Sequence, residues 1–168
     1  MEIKGIDVSS YQGMIDWEQV ASAGYKYAVL RCITRSGADY QFERNYTQAK
    51  NAGLKVGVYA FSYALTEDQA VKEAEREWGE QRKLGKGKLT AIAQAFLQTV
   101  KNNTKYQVGI YCNTDWYNNV LDSSALPYDY WIASYGINNG SPNRRPDVPG
   151  MTAWQYTSQG SVPGISGK

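Results

Sequence analysis

Six short runs rich in β-branched and aromatic residues recur along this 168-residue chain, at 4–9, 25–33, 55–62, 107–113, 128–135 and 151–157, and helical patterns separate them. Strands that alternate with helices pair side by side in parallel, because each helix returns the chain to the end where the next strand starts. The pattern therefore restricts the fold to an α/β class assembled from βα units. Asp16 reads as the N-cap of a first helix, with Gln19 three residues on and Gly24 closing it. A second helix is expected over 41–52, ended by Gly53, and a third from Thr66, with Gln69 completing a capping box, to about residue 81. The clearest helix covers 89–101, where Leu89, Ile92, Ala93, Phe96, Leu97 and Val100 make one apolar stripe. Residues 136–150 are rich in Gly, Asn, Pro and Arg and read as a long loop.

The strands carry a second pattern, and it points to a site. Side chains along a strand alternate between two faces. Ile6 and Val8 share one face, whereas Gly5, Asp7 and Ser9 share the other. Val56 and Val58 likewise oppose Gly57, Tyr59 and Phe61; Val108 and Ile110 oppose Gly109, Tyr111 and Asn113. The branched residues are expected to pack on helices, leaving small, aromatic and acidic residues on the opposite face. Their polar members fall near the C-terminal strand ends, where βα-barrel sites are built. A mixed sheet with tyrosines along its edge is the alternative.

Composition narrows the chemistry. The sequence has no histidine, which removes Ser-His-Asp and Cys-His nucleophilic sites and histidine-based zinc sites. Two cysteines are too few for a thiolate metal centre, so neither metal nor cofactor is expected. Cys32 and Cys112 lie in apolar strand-like runs and read as buried thiols, with a disulfide as the alternative. Sixteen acidic against eighteen basic residues leave a formal charge of +2, which gives no electrostatic case for nucleic acid. Carboxylates and tyrosines are what remains. Fourteen Tyr and five Trp against three Phe favour a polar ligand such as a sugar, or else a tyrosine-rich core. No apolar run long enough for a signal or membrane segment opens the sequence, and no membrane partner is expected.

One spacing breaks the βα rhythm. The third and fourth strand-like runs start 52 residues apart, far beyond the ~30 of an average unit. Two helical patterns fill the interval, joined by Arg82-Lys-Leu-Gly-Lys-Gly-Lys88 with a single apolar residue. A parallel array expects a strand between two such helices. One is missing on this reading.

Lys4-Gly-Ile-Asp-Val-Ser-Ser-Tyr-Gln-Gly13 followed by Ile15-Asp-Trp17 resembles the opening of the family 25 glycoside hydrolases, the Chalaropsis-type lysozymes of phage endolysins and bacterial autolysins. The likeness continues through Phe42, Asn45, Ala49 and Ala52-Gly53-Leu54 to Val56-Gly-Val-Tyr-Ala-Phe61. It resumes at Val108-Gly-Ile-Tyr-Cys-Asn113, Tyr130-Trp-Ile-Ala-Ser-Tyr135 and Ala153-Trp-Gln-Tyr-Thr-Ser158. The resemblance implies a TIM-barrel-like (β/α)5β3 glycosidase barrel, one domain over residues 1–168, that cleaves the β-1,4 bond between N-acetylmuramic acid and N-acetylglucosamine. Asp7 matches the family's acidic residue on the first strand. Tyr59, Tyr111, Trp131 and Gln155 match saccharide-lining positions, and Phe61, Asn113 and Tyr135 stand beside them as candidate substrate contacts. The implied partner is the glycan strand of bacterial peptidoglycan. An endolysin-like protein made in a host cytoplasm, or one exported by another route, would meet it at the wall.

Two departures from the family pattern shape the expectation. Family members carry an Asp-x-Glu on the fourth strand, whose Glu is the general acid, and no strand-like run here holds one. Glu73, Glu75, Glu77 and Glu80 fall on a helical pattern instead. Members also continue past the Ile165-Ser-Gly region into a final strand bearing another Asp. The barrel is therefore expected to be shortened and not fully closed, in a monomer. A cell-wall glycan-binding protein that does not hydrolyse, or an engineered or truncated lysozyme scaffold, is the alternative.

Overall fold

The computed structural model describes residues 2–34, 37–61, 66–68 and 84–166. All six expected strands form: β1 (Gly5–Val8), β2 (Tyr27–Arg31), β5 (Lys55–Tyr59), β6 (Gly109–Asn113), β7 (Asp129–Ala133) and β8 (Met151–Gln155). Two very short strands, β3 (Ile33–Thr34) and β4 (Gly37–Ala38), add an antiparallel hairpin that sequence reading passes over. The helices are α1 (Trp17–Ser22), α2 (Phe42–Asn51) and α3 (Lys86–Asn103). Of the helix expected from Thr66, only residues 66–68 are described and the rest lies outside, as do residues 62–65 and 82–83 of the interval in which a strand was expected. The chain divides into two compact units, Met1–Phe61 with Gly160–Lys168, and Ser62–Gln159.

In the first unit β1, β2 and β5 form a parallel sheet with β2 in the centre. Asp7 lies opposite Val29, and Arg31 opposite Tyr59. The branched face packs as its pattern predicts: Val8, Ala28 and Leu30 are buried with Ile15, Trp17, Val20, Ala49 and Leu54. Full burial of a side chain such as Leu30 or Val20 stabilises by about 1.5–3 kcal/mol. Val58 is the exception, for it is 51% exposed on β5 at the edge of this sheet. Asp16 caps α1 as expected, accepting from Gln19 N at 3.0 Å. Within this core the Trp17 indole N–H donates to Asn45 Oδ1 at 3.2 Å, which ties α1 to α2. On the opposite face Gly5 is required because a Cβ there would run into the Tyr27 ring.

In the second unit β6, β7 and β8 form another parallel sheet, with β7 central. The stripe of α3 performs as read: Leu89, Ile92 and Leu97 are buried. Leu89 joins Cys112, Leu121, Leu126, Tyr130 and Ile132 in one cluster. The helix starts one turn earlier than its apolar pattern, at Lys86, and Gly85 supplies no side-chain cap. Burial pushes the Cys112 thiol up to about 12, and Cys32 and Cys112 are not joined in a disulfide. Turns at Trp116–Val120, of π type, and Ser123–Ala125, of 3-10 type, follow β6. The loop 136–150 carries no regular element, as its composition predicts. Among the described residues the long strands make two three-stranded parallel sheets and no closed barrel, where a shortened and incompletely closed one was expected. None of the described helices is long and apolar enough to cross a membrane.

Candidate functional site

The first unit gathers Asp7, Tyr59 and Phe61 around the C-terminal ends of β1 and β5. Asp7 is half-buried, and its negative charge acts on the Tyr59 hydroxyl. Burial, and then Asp7, push that phenol up to about 12, while the positive charge of Arg31 and a side-chain hydrogen bond with Ser9 pull the other way. Tyr59 is therefore a neutral hydroxyl, able to donate or accept at any ordinary pH. The Phe61 ring meets it edge-on, with centroids 6.0 Å apart and planes at 79°, and is 48% exposed.

A polar network that sequence reasoning missed stands beside these groups. Arg31, the last residue of β2, pairs with Asp39 through Nη2 at 2.8 Å and Nε at 2.9 Å. It also donates to Ser10 Oγ at 2.9 Å. Asp39 accepts from the backbone N–H groups of Ser10 and Gln41, each at 3.0 Å, and is 3% exposed. Burial pushes its carboxyl up, but the hydrogen bonds from Ser10, Gln41 and Arg31 outweigh it and hold the carboxyl below the usual range. Ser9 and Gln12 add a capping box in the same loop. The segment that follows Asp7 is thereby wired to the end of β2. The available signal was an arginine closing an apolar strand, with a lone acid just ahead of α2.

In the second unit Tyr111, Trp131, Tyr135 and Gln155 come together. The β6–β7 register sets Tyr111 beside Trp131, with ring centroids 4.7 Å apart and planes at 60°. Gln155, opposite Ala133 on β8, accepts on one oxygen from Tyr111 OH at 2.8 Å and from Tyr135 OH at 2.7 Å. Three strands thus contribute to one aromatic and amide surface. Asn113 has a different task here, since its Oδ1 accepts from Trp116 N at 2.9 Å and starts the turn after β6.

An Asp-x-Glu spacing does occur once in the sequence, at Asp16-Trp17-Glu18, but it opens α1 and stands on no strand. Hydrogen bonds from the Gln19 backbone and side chain hold Asp16 below its ordinary value, so it is a cap and no proton donor near neutrality. Trp17 between the two acids is buried, and residues two apart on a helix do not face each other. The triplet lines an open cavity of about 560 Å³ with Met14, Arg44 and Gln48. Asp7, Tyr59 and Phe61 do not line it. No group of three or more Cys, Asp or Glu among the described residues is placed to hold a metal ion.

The profile of the glycosyl hydrolases family 25 matches residues 6–165. Lysozyme M1 of Streptomyces globisporus is 29% identical over 193 positions, which cover 98% of this chain and 65% of that protein. An autolytic lysozyme of Clostridium acetobutylicum is 30% identical, over 98% of this chain and 53% of its own length. The chain thus spans between about half and two thirds of these curated relatives. Since 193 aligned positions exceed the 168 residues present, the first relative carries segments with no counterpart here. Among solved structures, a bacterial lysozyme from Streptomyces coelicolor superposes with a TM-score of 0.80 at 25% identity, covering 100% of this chain and 89% of that one. The mixed α/β fold is that of these lysozymes. With nearly its whole length matched by one profile, the chain belongs to the glycosyl hydrolases family 25.

Proposed function

We propose that the chain acts on bacterial peptidoglycan as a lysozyme-type N-acetylmuramidase, hydrolysing the β-1,4 bond between N-acetylmuramic acid and N-acetylglucosamine. Family membership across residues 6–165, with Asp7 in place at the end of β1, carries this reading. Tyr111, Trp131, Tyr135 and Gln155 offer ring faces and an amide to a sugar, the pairing of apolar face and polar rim that a saccharide needs. Asp7 supplies negative charge to the oxocarbenium-like transition state, and Tyr59 and Phe61 border it. The strands belong to a shortened (β/α)5β3 barrel, one catalytic-type domain over residues 1–168, working as a monomer at the cell wall.

A second reading is favoured by one observation. Glycoside hydrolysis needs two carboxyl groups flanking the bond. Apart from Asp7, the acid held at these strand ends among the described residues is Asp39, which is buried and ion-paired. A wall-glycan binder without hydrolysis fits that arrangement. Sedimentation with purified, insoluble peptidoglycan tests what the two readings share. The protein is expected to co-sediment, and Trp131→Ala is expected to weaken retention about tenfold, the worth of one ring contact. A protein left wholly in the supernatant while the wall stays insoluble would overturn both.

A further inference from the structure

The loop after Asp7 and the residue before Gln41 each push a large ring into solvent: Tyr11 is 80% exposed and Tyr40 77%. Exposed tyrosines are common and need no function by themselves. These two differ in being held. The Arg31 guanidinium sits 5.0 Å from the centre of the Tyr11 ring. Arg31 is itself fixed by Asp39 at 2.8 Å and by Ser10 Oγ at 2.9 Å. Asp39 also binds the N–H of Ser10, the residue before Tyr11, while Tyr40 follows Asp39 and its hydroxyl reaches Ser10 O at 3.5 Å. One buried carboxylate therefore anchors the backbone on which both rings stand.

We infer that Tyr11 and Tyr40 form an outlying saccharide subsite, a platform for sugars of the glycan strand beyond those held beside Asp7. The inference rests on the wall-glycan reading above and extends it. The platform is continuous with the candidate site, because Tyr11 is four residues from Asp7 and the same Arg31 acts on Tyr59. Its chemistry suits sugar rings rather than an isolated charge: the aromatic rings offer apolar faces and hydroxyl rims, and the adjacent cation is already paired with Asp39. Rings ordered before the ligand arrives lose little entropy when it binds, so their contact area converts to affinity.

The test uses peptide-free glycan strands released from bacterial wall and fractionated by length, with binding to the intact chain measured by calorimetry. Tyr11→Ala and Tyr40→Ala are each expected to weaken long strands about threefold to tenfold and to leave short ones unchanged. Tyr11→Phe, which keeps the ring, is expected to bind long strands within about twofold of the unchanged protein. Alanine variants that bind long strands normally would overturn the platform, as would equal losses for short and long strands. If the unchanged protein binds neither length, the wall-glycan reading itself falls, a result distinct from loss of the platform alone.

Discussion

Asp39 shows how much of this molecule depends on single buried groups. It holds Ser10, Gln41 and Arg31 at once, so removing it leaves a guanidinium and two N–H groups without their acceptor. Asp39→Ala is expected to lower stability by about 3 kcal/mol in chemical denaturation, the usual cost of breaking a buried pair. Its carboxyl sits below the ordinary 3.8 in the folded chain, so its contribution is full above about pH 4 and is lost as the pH falls through the folded value. Asp39→Asn should therefore flatten the acid limb of the stability profile, and an unchanged limb would contradict the role. Tyr59 behaves in the opposite sense. Its phenol is raised to about 12, so it stabilises fully below about pH 10 and loses that contribution as the pH climbs towards 12. Tyrosinate absorbance should show late-titrating rings from Tyr59 and from Tyr130, which burial also raises to about 12, and Tyr59→Phe should remove one of them. Neither Asp39 nor Arg31 was legible as a site residue. A lone acid between Ala38 and Tyr40 looks like any turn, and its partners are supplied by folding from positions 8 and 29 residues away.

At the scale of elements, alternation and capping signals carried most of the information. Six strands and three helices follow from period-two and period-3.6 patterns because each element buries one face against its neighbours. Asp16 and Gln19 announced α1 through a local hydrogen bond, which needs no tertiary context. Asp16→Ala should cost about 1 kcal/mol, seen as a fall of about 2–4 °C in Tm, and a neutral result would mean that α1 is held by Trp17 burial alone. Trp131 and Gln155 were named through the family resemblance, and strand alternation sets them on the face opposite Tyr130 and Trp154. Asn113 lay on that face too, yet its side chain is taken by the N–H of Trp116. Period two reports the face of a residue and says nothing of the local donor that captures it. Val58 departs in a similar way, since a branched residue with the expected face is 51% exposed on β5.

At the scale of the whole chain, the open question of the sequence was the 52-residue interval between the third and fourth strand-like runs. The longer alignment with Lysozyme M1 agrees that a relative has segments this chain lacks. The spacing led to the expectation of an incompletely closed barrel, whereas each three-stranded sheet depends only on residues present. The central claim is that this family 25 chain hydrolyses wall glycan with Asp7 at the reacting centre. Purified peptidoglycan incubated with the chain and with Asp7→Asn, followed by mass spectrometry of the soluble products and assay of new reducing ends, tests it directly. Fragments ending in a reducing N-acetylmuramic acid are expected, released at least about a hundredfold more slowly by Asp7→Asn. Retention on the wall with no new reducing ends, or equal release by the Asp7→Asn variant, would contradict it.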